Sequence, residues 1–441
     1  MKLLIKNLTL LTGSIENPLR PSVHLAIEND RIAFVIDSNI PDAEERCAKF
    51  APDRTLSGKH RIAMPGLING HTHVGMNLLR NYGSDLNLQD WLSTKVFPAE
   101  AKLTPDDIHW ASLLEMAEMI LCGTTGFIDM YFFPEQGAEN VLQSGLRARI
   151  CHGIADISFS SEGKSYKTTF SAYEEFCRAY DGRENRLKVQ ALVHSTYLPP
   201  YAALVEMGEY IATNNVPVHI HLHETMPELR ENMADYGKKP ITIAAERGFF
   251  TAHTVGAHCV HLDTEDRQTL ASHGVYAVHC PTSNLKLASG TANLQAMIKA
   301  GVKVCIGTDG ASSNNNLNMF EELHIASILQ KGVWLDPLLQ PAAQMVHLAT
   351  QNGAAAMGMD DMLGELEAGA PADLILLNSD APHLVPLNDP VAAVVYGAQG
   401  SDVDTVIVAG KVLMEGRELK TIDIEKVKHQ VQTVTARILG T

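Results

Sequence analysis

No apolar run in this chain reaches the ~20 residues that a helix needs to cross a bilayer. Cysteine is sparse in pattern as well as in number. The seven cysteines show no CxxC spacing and no regular framework, which excludes a disulfide scaffold and a thiolate zinc cluster. Positive charge is in short supply: 35 Lys and Arg stand against 51 Asp and Glu, a formal net charge of −16. That balance argues against nucleic acid and anionic membrane surfaces as partners. The acidic residues are dispersed, as on a solvated surface. No small-residue cleavage site follows the short stretch Leu3-Leu4-Ile5, which Lys6 and Asn7 interrupt. A secretory signal is therefore not expected, and the odd thiol count fits reduced cysteines in a cytoplasmic protein. Short-period repeats and low-complexity segments are also missing.

What remains is an ordinary globular composition, 45% apolar and 20% charged, over 441 residues. That length calls for one large domain plus a smaller one. The first 58 residues read as β-structure: Leu3 to Leu11, Val23 to Ile27, and Arg31 to Ile36 after the turn Asn29-Asp30. The far end has the same texture in Ala372 to Leu377 and in Thr405 to Leu413, and a last helix is expected near Ile424 to Ile438. Neither end has strands enough to stand alone. Residues 1–58 and 370–441 are expected to pair into one small β-sandwich domain. Between 59 and 369, short apolar runs alternate with longer helical segments. This is the pattern of an α/β domain with a parallel sheet. Eight strand candidates end near His71, Asp129, His152, His194, His221, His258, His279 and Asp309. Eight such units predict a (β/α)₈ TIM barrel, whose active site lies at the C-terminal ends of its strands. Thr282 to Asn293 and Ala311 to Asn318 read as polar loops.

Several of these strand ends carry the residue types of a metal site. His71 and His73, in Gly70-His71-Thr72-His73, stand two apart and share a strand face, so both imidazoles can grip one cation. Val218-His219-Ile220-His221-Leu222-His223-Glu224 offers three more at one parity, and strand geometry alone does not choose among them. Asp309, in Gly307-Thr308-Asp309-Gly310, can complete a set of three histidines and one aspartate with room for a water. His258 and His194 end the sixth and fourth strands. Cys259, Cys280 and Cys305 read as core residues. Binuclear hydrolases on this barrel bridge two metals with a modified lysine at the end of strand four. Here that place is held by His194, and Lys188 lies at the strand's start, so one metal is expected.

The segments Pro65-Gly66-Leu67-Ile68-Asn69-Gly70-His71-Thr72-His73, Asp90-Trp91-Leu92, His221-Leu222-His223-Glu224-Thr225, Ala257-His258-Cys259-Val260-His261-Leu262, His279-Cys280-Pro281-Thr282-Ser283-Asn284 and Gly307-Thr308-Asp309-Gly310-Ala311-Ser312-Ser313-Asn314 span most of the chain in order. Together they resemble the amidohydrolase superfamily, its aminohydrolase branch, and most closely the 5-methylthioadenosine/S-adenosylhomocysteine deaminase family. The resemblance implies that His221 is the third imidazole ligand, and that His71, His73 and Asp309 complete a site for one divalent metal, zinc first. It implies Glu224 as the catalytic carboxylate, with His258 and Asp309 beside it. It also implies Trp91, Glu100, His152 and His194 as substrate contacts and a homo-oligomeric assembly. These deaminases commonly place an arginine at the end of strand three. Here His152 stands there, with Arg147 and Arg149 nearby, which favours a small uncharged 5′-substituent over the homocysteine tail.

The expected reaction is hydrolytic deamination of an adenosine-type nucleoside (5′-methylthioadenosine, 5′-deoxyadenosine or adenosine) to the inosine analogue and ammonia. The alternatives are an aminohydrolase acting on guanine, a pterin or an s-triazine, an imidazolone-type ring hydrolase, and a metal-free barrel kept as a scaffold.

Overall fold

The computed structural model describes residues 2–160, 163–359 and 363–440. The eight apolar runs become eight parallel strands: Leu67–Thr72, Thr124–Asp129, Arg147–Gly153, Leu187–Leu192, Val218–Leu222, Val255–His258, Tyr276–His279 and Lys303–Ile306. They are numbered here as barrel strands one to eight. Each pairs in parallel with the next in chain order. Buried backbone groups need partners, so the two free edges must meet. They do so at the mouth, where Asp309 N donates to His71 O at 2.9 Å. The Asn69 side chain stitches the same seam, accepting from Thr308 N at 2.9 Å and donating to Thr308 Oγ1 at 2.7 Å. Glycine permits this closeness, because a Cβ at Gly307 would lie 2.7 Å from His71 N. The barrel closes on the edge that carries the HxH motif.

One apolar cluster contains Ile68, Ile128, Cys151, Val255, Val278 and Cys305, with Leu192 packed against it. It draws on every barrel strand but the fifth, which identifies it as the barrel interior. Met357 and Met359 join it. The fifth strand contributes His219 instead, fully buried, and strand four adds Gln190.

The chain's two ends build one nine-stranded mixed sheet. Lys2–Leu11, Leu19–Glu28, Arg31–Asp37, Arg54–Ser57 and Arg61–Pro65 come from the front, and Leu374–Asn378, Val403–Val408, Lys411–Glu415 and Glu418–Leu419 from the back. The hydrogen bonding of the expected small β-sandwich is thus continuous across the sequence ends, around a core that includes Leu3, Ile5, Leu25, Leu374 and Leu376. The sheet takes in residues on the barrel side of position 58. Arg61–Pro65 pairs with Lys2–Leu11 and with Leu374–Asn378, then hands the chain to barrel strand one within two residues. A buried bidentate pair ties sheet to barrel: Arg147 Nε and Nη2 donate to Asp373 Oδ1 and Oδ2 at 2.7 and 2.9 Å. The last helix runs Ile424–Leu439 and packs on Pro105–Leu121.

Two local expectations need correction, and one element is new. Thr405 to Leu413 is not one strand. Ala409 and Gly410 take φ of 47° and 70°, which turns the chain into the hairpin Val403–Val408 and Lys411–Glu415. A Cβ at Gly410 would lie 1.7 Å from Asn29 O, so only glycine fits this turn. Within the expected loop 282–293, the helix Pro281–Lys286 forms, with proline in its first turn. The hairpin Ala155–Ser160 and Gly163–Thr168, after strand three, is an addition that apolar patterning does not reveal. Among the described residues no helix is long and apolar enough to cross a membrane.

Candidate metal centre and active site

The strand ends converge at the barrel mouth. His73 Nε2 lies 3.4 Å from His221 Nε2 and 3.2 Å from Asp309 Oδ1, and His71 Nε2 lies 3.4 Å from the same oxygen. The ligand atoms of His71, His73 and His221 all fall within 4.8 Å of one another, as do those of His71, His258 and Asp309. Asp309 and His258 adopt φ of 65° and 72°. Such left-handed backbone is costly for these residues and clusters at functional sites.

The imidazoles are oriented from behind. His73 Nδ1 donates to Met130 O at 2.5 Å, and His221 Nδ1 donates to His194 O at 2.9 Å. Each bond places the ring proton on Nδ1 and aims the Nε2 lone pair inward. Asp309 Oδ2 accepts from the hydroxyls of Ser283 at 2.6 Å and Ser313 at 2.8 Å, while Gly310 N donates to Oδ1 at 2.8 Å. His71 Nε2 is fully buried without a hydrogen-bond partner. Buried polar atoms are rarely left so, and an orphaned nitrogen facing three other donors fits a cation. Three imidazole nitrogens and one carboxylate suit a borderline divalent metal such as zinc.

Electrostatics agree with a cation at the centre. Burial lowers the His71 pKa to about 4, so this ring is neutral. Burial also opposes charge on His73, but the hydrogen bond and charge of Asp309 win and raise it to about 9. Burial likewise works against the Asp309 carboxylate, yet His71 and His73 hold it well below its ordinary range.

Glu224 closes one side. Its Oε2 lies 3.8 Å from His258 Nε2, and its Oε1 accepts from Ser289 Oγ at 3.3 Å. Burial raises its pKa, as a proton donor at neutral pH requires. A capping box sets its position. Thr225 and Glu228 cap the helix Met226–Tyr236, and Glu228 also accepts from the backbone N–H groups of His223 and Glu224 at 3.1 and 2.7 Å. His258 Nδ1 faces Asn284 Oδ1 at 2.9 Å, which leaves Nε2 open.

The structure therefore brings His71, His73, His221, His258, Asp309 and Glu224 together. His194 joins them, its ring 4.7 Å from that of His221, and burial lowers its pKa to about 3. The other two histidines of strand five part company. His219 goes into the barrel interior behind His71, and His223 leaves the strand to hold His261 O and Ile241 N. Glu100 accepts from Tyr131 Oη at 2.9 Å, and Tyr131 packs on His73. Trp91 ends the short helix Leu88–Trp91 and is buried. His152 packs its ring on Phe176, centroids 5.1 Å apart, and Nδ1 donates to Gly153 O at 2.7 Å. Neither neighbouring arginine replaces it: Arg147 holds Asp373, and buried Arg149 donates to Ala356 O and His253 O. Sequence reasoning missed Ser283, Ser289, Ser313, Asn284 and Glu228. Ser283, Asn284 and Ser313 lie within the segments that carry the family resemblance, and the capping pattern Thr225-x-x-Glu228 was available to find Glu228.

A family model described as "Amidohydrolase family" matches residues 62–413. A 5-methylthioadenosine/S-adenosylhomocysteine deaminase of Acetivibrio thermocellus is 44% identical over 440 residues, covering 100% of both chains. One of the same name from Thermoanaerobacter pseudethanolicus is 43% identical over 98% of both. Among solved structures, an adenosine deaminase from Xanthomonas campestris with bound zinc superposes with a TM-score of 0.91 at 32% identity, covering 100% of this chain and 99% of that one.

Proposed function

The chain belongs to the amidohydrolase family, and on that premise we propose that it deaminates an adenosine-type nucleoside by metal-assisted hydrolysis. The substrates are 5′-methylthioadenosine, 5′-deoxyadenosine or adenosine, and the products are the inosine analogue and ammonia. One observation carries the reading: the buried Glu224 carboxyl, its pKa raised, stands beside a convergent set of three imidazoles and a carboxylate. The shared name of relatives at 43–44% identity supports the substrate class.

His71, His73, His221 and Asp309 would hold the divalent ion. Bound there, it would supply a water whose pKa is lowered toward ~7. The chain does the rest. Asp309, steadied by Ser283 and Ser313, takes the proton of the attacking water. His258, anchored on Asn284, turns Nε2 to the attacking oxygen and stabilises the charge that develops there. Glu224 gives its proton from Oε2 to the purine ring nitrogen beside C6. As the C–O bond forms, the ring becomes tetrahedral at C6. Asp309 then passes its proton to the amino group while Glu224, now a carboxylate, takes the proton of the C6 hydroxyl, so that C=O forms, the C–N bond breaks, ammonia leaves and both carboxyl groups return to their starting states. Glu100 binds ribose hydroxyls, while Trp91, His194 and His152 wall the pocket. His152 in place of an arginine favours a small uncharged 5′-substituent. A homo-oligomer is part of the reading, to be checked by light scattering.

The test is ammonia release across adenosine, 5′-deoxyadenosine, 5′-methylthioadenosine and S-adenosylhomocysteine, beside guanine, a pterin and an s-triazine. The expected order puts 5′-methylthioadenosine, 5′-deoxyadenosine and adenosine ahead of S-adenosylhomocysteine. Turnover of a free base with none of the nucleosides would overturn the assignment.

A further inference from the structure

A line of polar side chains runs from the metal centre down into the barrel interior, where apolar packing is the rule. His71 Nδ1 meets His219 Nε2 at 2.9 Å, and His219 Nδ1 meets the Gln190 side-chain nitrogen at 3.0 Å. That nitrogen also faces Cys151 Sγ at 3.0 Å, and Gln190 Oε1 has no partner. All four residues are fully buried. They come from strands one, five, four and three, so the line is a feature of the tertiary fold.

Such a chain has a direction. A neutral imidazole donates from one nitrogen and accepts at the other, so fixing one end fixes every link. In one order the Gln190 amide N–H points at His219 Nδ1. His219 then donates from Nε2 to His71 Nδ1, and His71 carries its proton on Nε2, facing Asp309 Oδ1 at 3.4 Å. This order blocks His71 as a ligand, because the nitrogen that would face the metal bears the proton. In the reverse order, Gln190 presents Oε1 to a proton on His219 Nδ1. His219 Nε2 then accepts from His71 Nδ1, which frees His71 Nε2. Each ring keeps one proton in both orders, and only the nitrogen that bears it changes.

We propose that Gln190 and His219 form a reversible tautomer relay that sets whether His71 can take the metal. They are positioning residues: neither touches substrate. Metal binding reverses the chain and turns the Gln190 amide, and the buried relay holds His71 in its ligand form once the metal is in. The inference rests on the reading of His71 as a metal ligand.

Neutron diffraction from deuterated crystals of the full chain, metal-free and zinc-loaded, reads the relay directly. Deuterium is expected on His219 Nε2 without metal and on His219 Nδ1 with zinc. The same tautomer in both states would overturn the relay while leaving the metal site intact. Zinc affinity, measured by competition with a chelator, gives a second readout. His219→Phe should weaken binding about 10- to 100-fold, the usual effect of losing an outer partner of a metal-bound histidine. Gln190→Glu, which keeps an acceptor oxygen for His219 Nδ1 in either protonation state, should bind zinc at least as tightly as the unsubstituted protein. A variant with a merely structural loss there would bind less tightly. Thermal unfolding of each metal-free variant checks that it folds. Failure of the unsubstituted protein to bind zinc would remove the metal reading itself, and the relay with it.

Discussion

Replacing Glu224 with Gln removes one transferable proton and almost nothing else. The side chain keeps its size and can still accept from Ser289 Oγ, now at 3.3 Å. The backbone contact with Glu228 does not involve the substituted group. None of the four proposed ligands is touched, so zinc content should match that of the unsubstituted protein. The loss is therefore that of proton transfer to the ring nitrogen. General acid–base catalysis by one positioned group supplies about 10²- to 10⁴-fold, or roughly 3 to 5 kcal/mol of barrier. Because the raised Glu224 pKa comes first from burial, water has little access to replace the lost proton donor. The fall should accordingly sit toward the upper end, in kcat more than in KM. Ammonia release from 5′-methylthioadenosine, with metal content measured on the same sample, is the assay. A Glu224→Gln protein that holds zinc and turns over within about tenfold of normal would refute the role, since no other buried carboxyl faces His258 at this distance among the described residues.

Three further outcomes follow from the geometry. Arg147→Ala leaves Asp373 buried without its cation and should cost about 3 to 5 kcal/mol in urea unfolding, whereas Arg147→Met with Asp373→Leu should recover most of it. Glu115 is fully buried, burial raises its pKa to about 8, and Asn77 N donates to its Oε1 at 2.7 Å. A carboxyl raised in the fold contributes stability below its unfolded pKa and loses it as pH rises toward 8. Glu115→Gln should thus leave stability unchanged near pH 4 and gain up to about 3 kcal/mol by pH 7, read by unfolding curves across pH. His152→Arg should raise kcat/KM for S-adenosylhomocysteine relative to 5′-methylthioadenosine by about tenfold, the worth of one charged hydrogen bond, and an unchanged ratio would show that the tail lies elsewhere.

Much of this candidate site is legible in the sequence, and for a physical reason. Buried parallel strands are short apolar runs, and a barrel delivers the residue at each run's end to one mouth. Hence His71, His221, His258 and Asp309 stood out together. Strand parity could not separate His219, His221 and His223, which share a face. The fold separates them by depth and by the turn at His223, whose φ is 51°. The missed groups act through contacts between distant strands and loops. Ser283 holds Asp309 and Gln190 meets His219 at separations that local pattern cannot see, whereas Ser313, only four residues from Asp309, reads simply as part of a polar loop. The hairpin at Ala409-Gly410 was hidden because an apolar run continues through a turn that only its positive φ values reveal. The helix Pro281–Lys286 was hidden because its polar sequence reads as a loop.

We propose that one metal, held by His71, His73, His221 and Asp309, makes this barrel a nucleoside deaminase. Titrating zinc into chelator-stripped protein while following ammonia release from 5′-methylthioadenosine tests it most directly. The stripped protein should show no turnover, and added zinc should raise it linearly until one equivalent per chain is bound. Full turnover without metal, a plateau only at two equivalents, or one bound zinc with no ammonia from any adenosine-type nucleoside would contradict it.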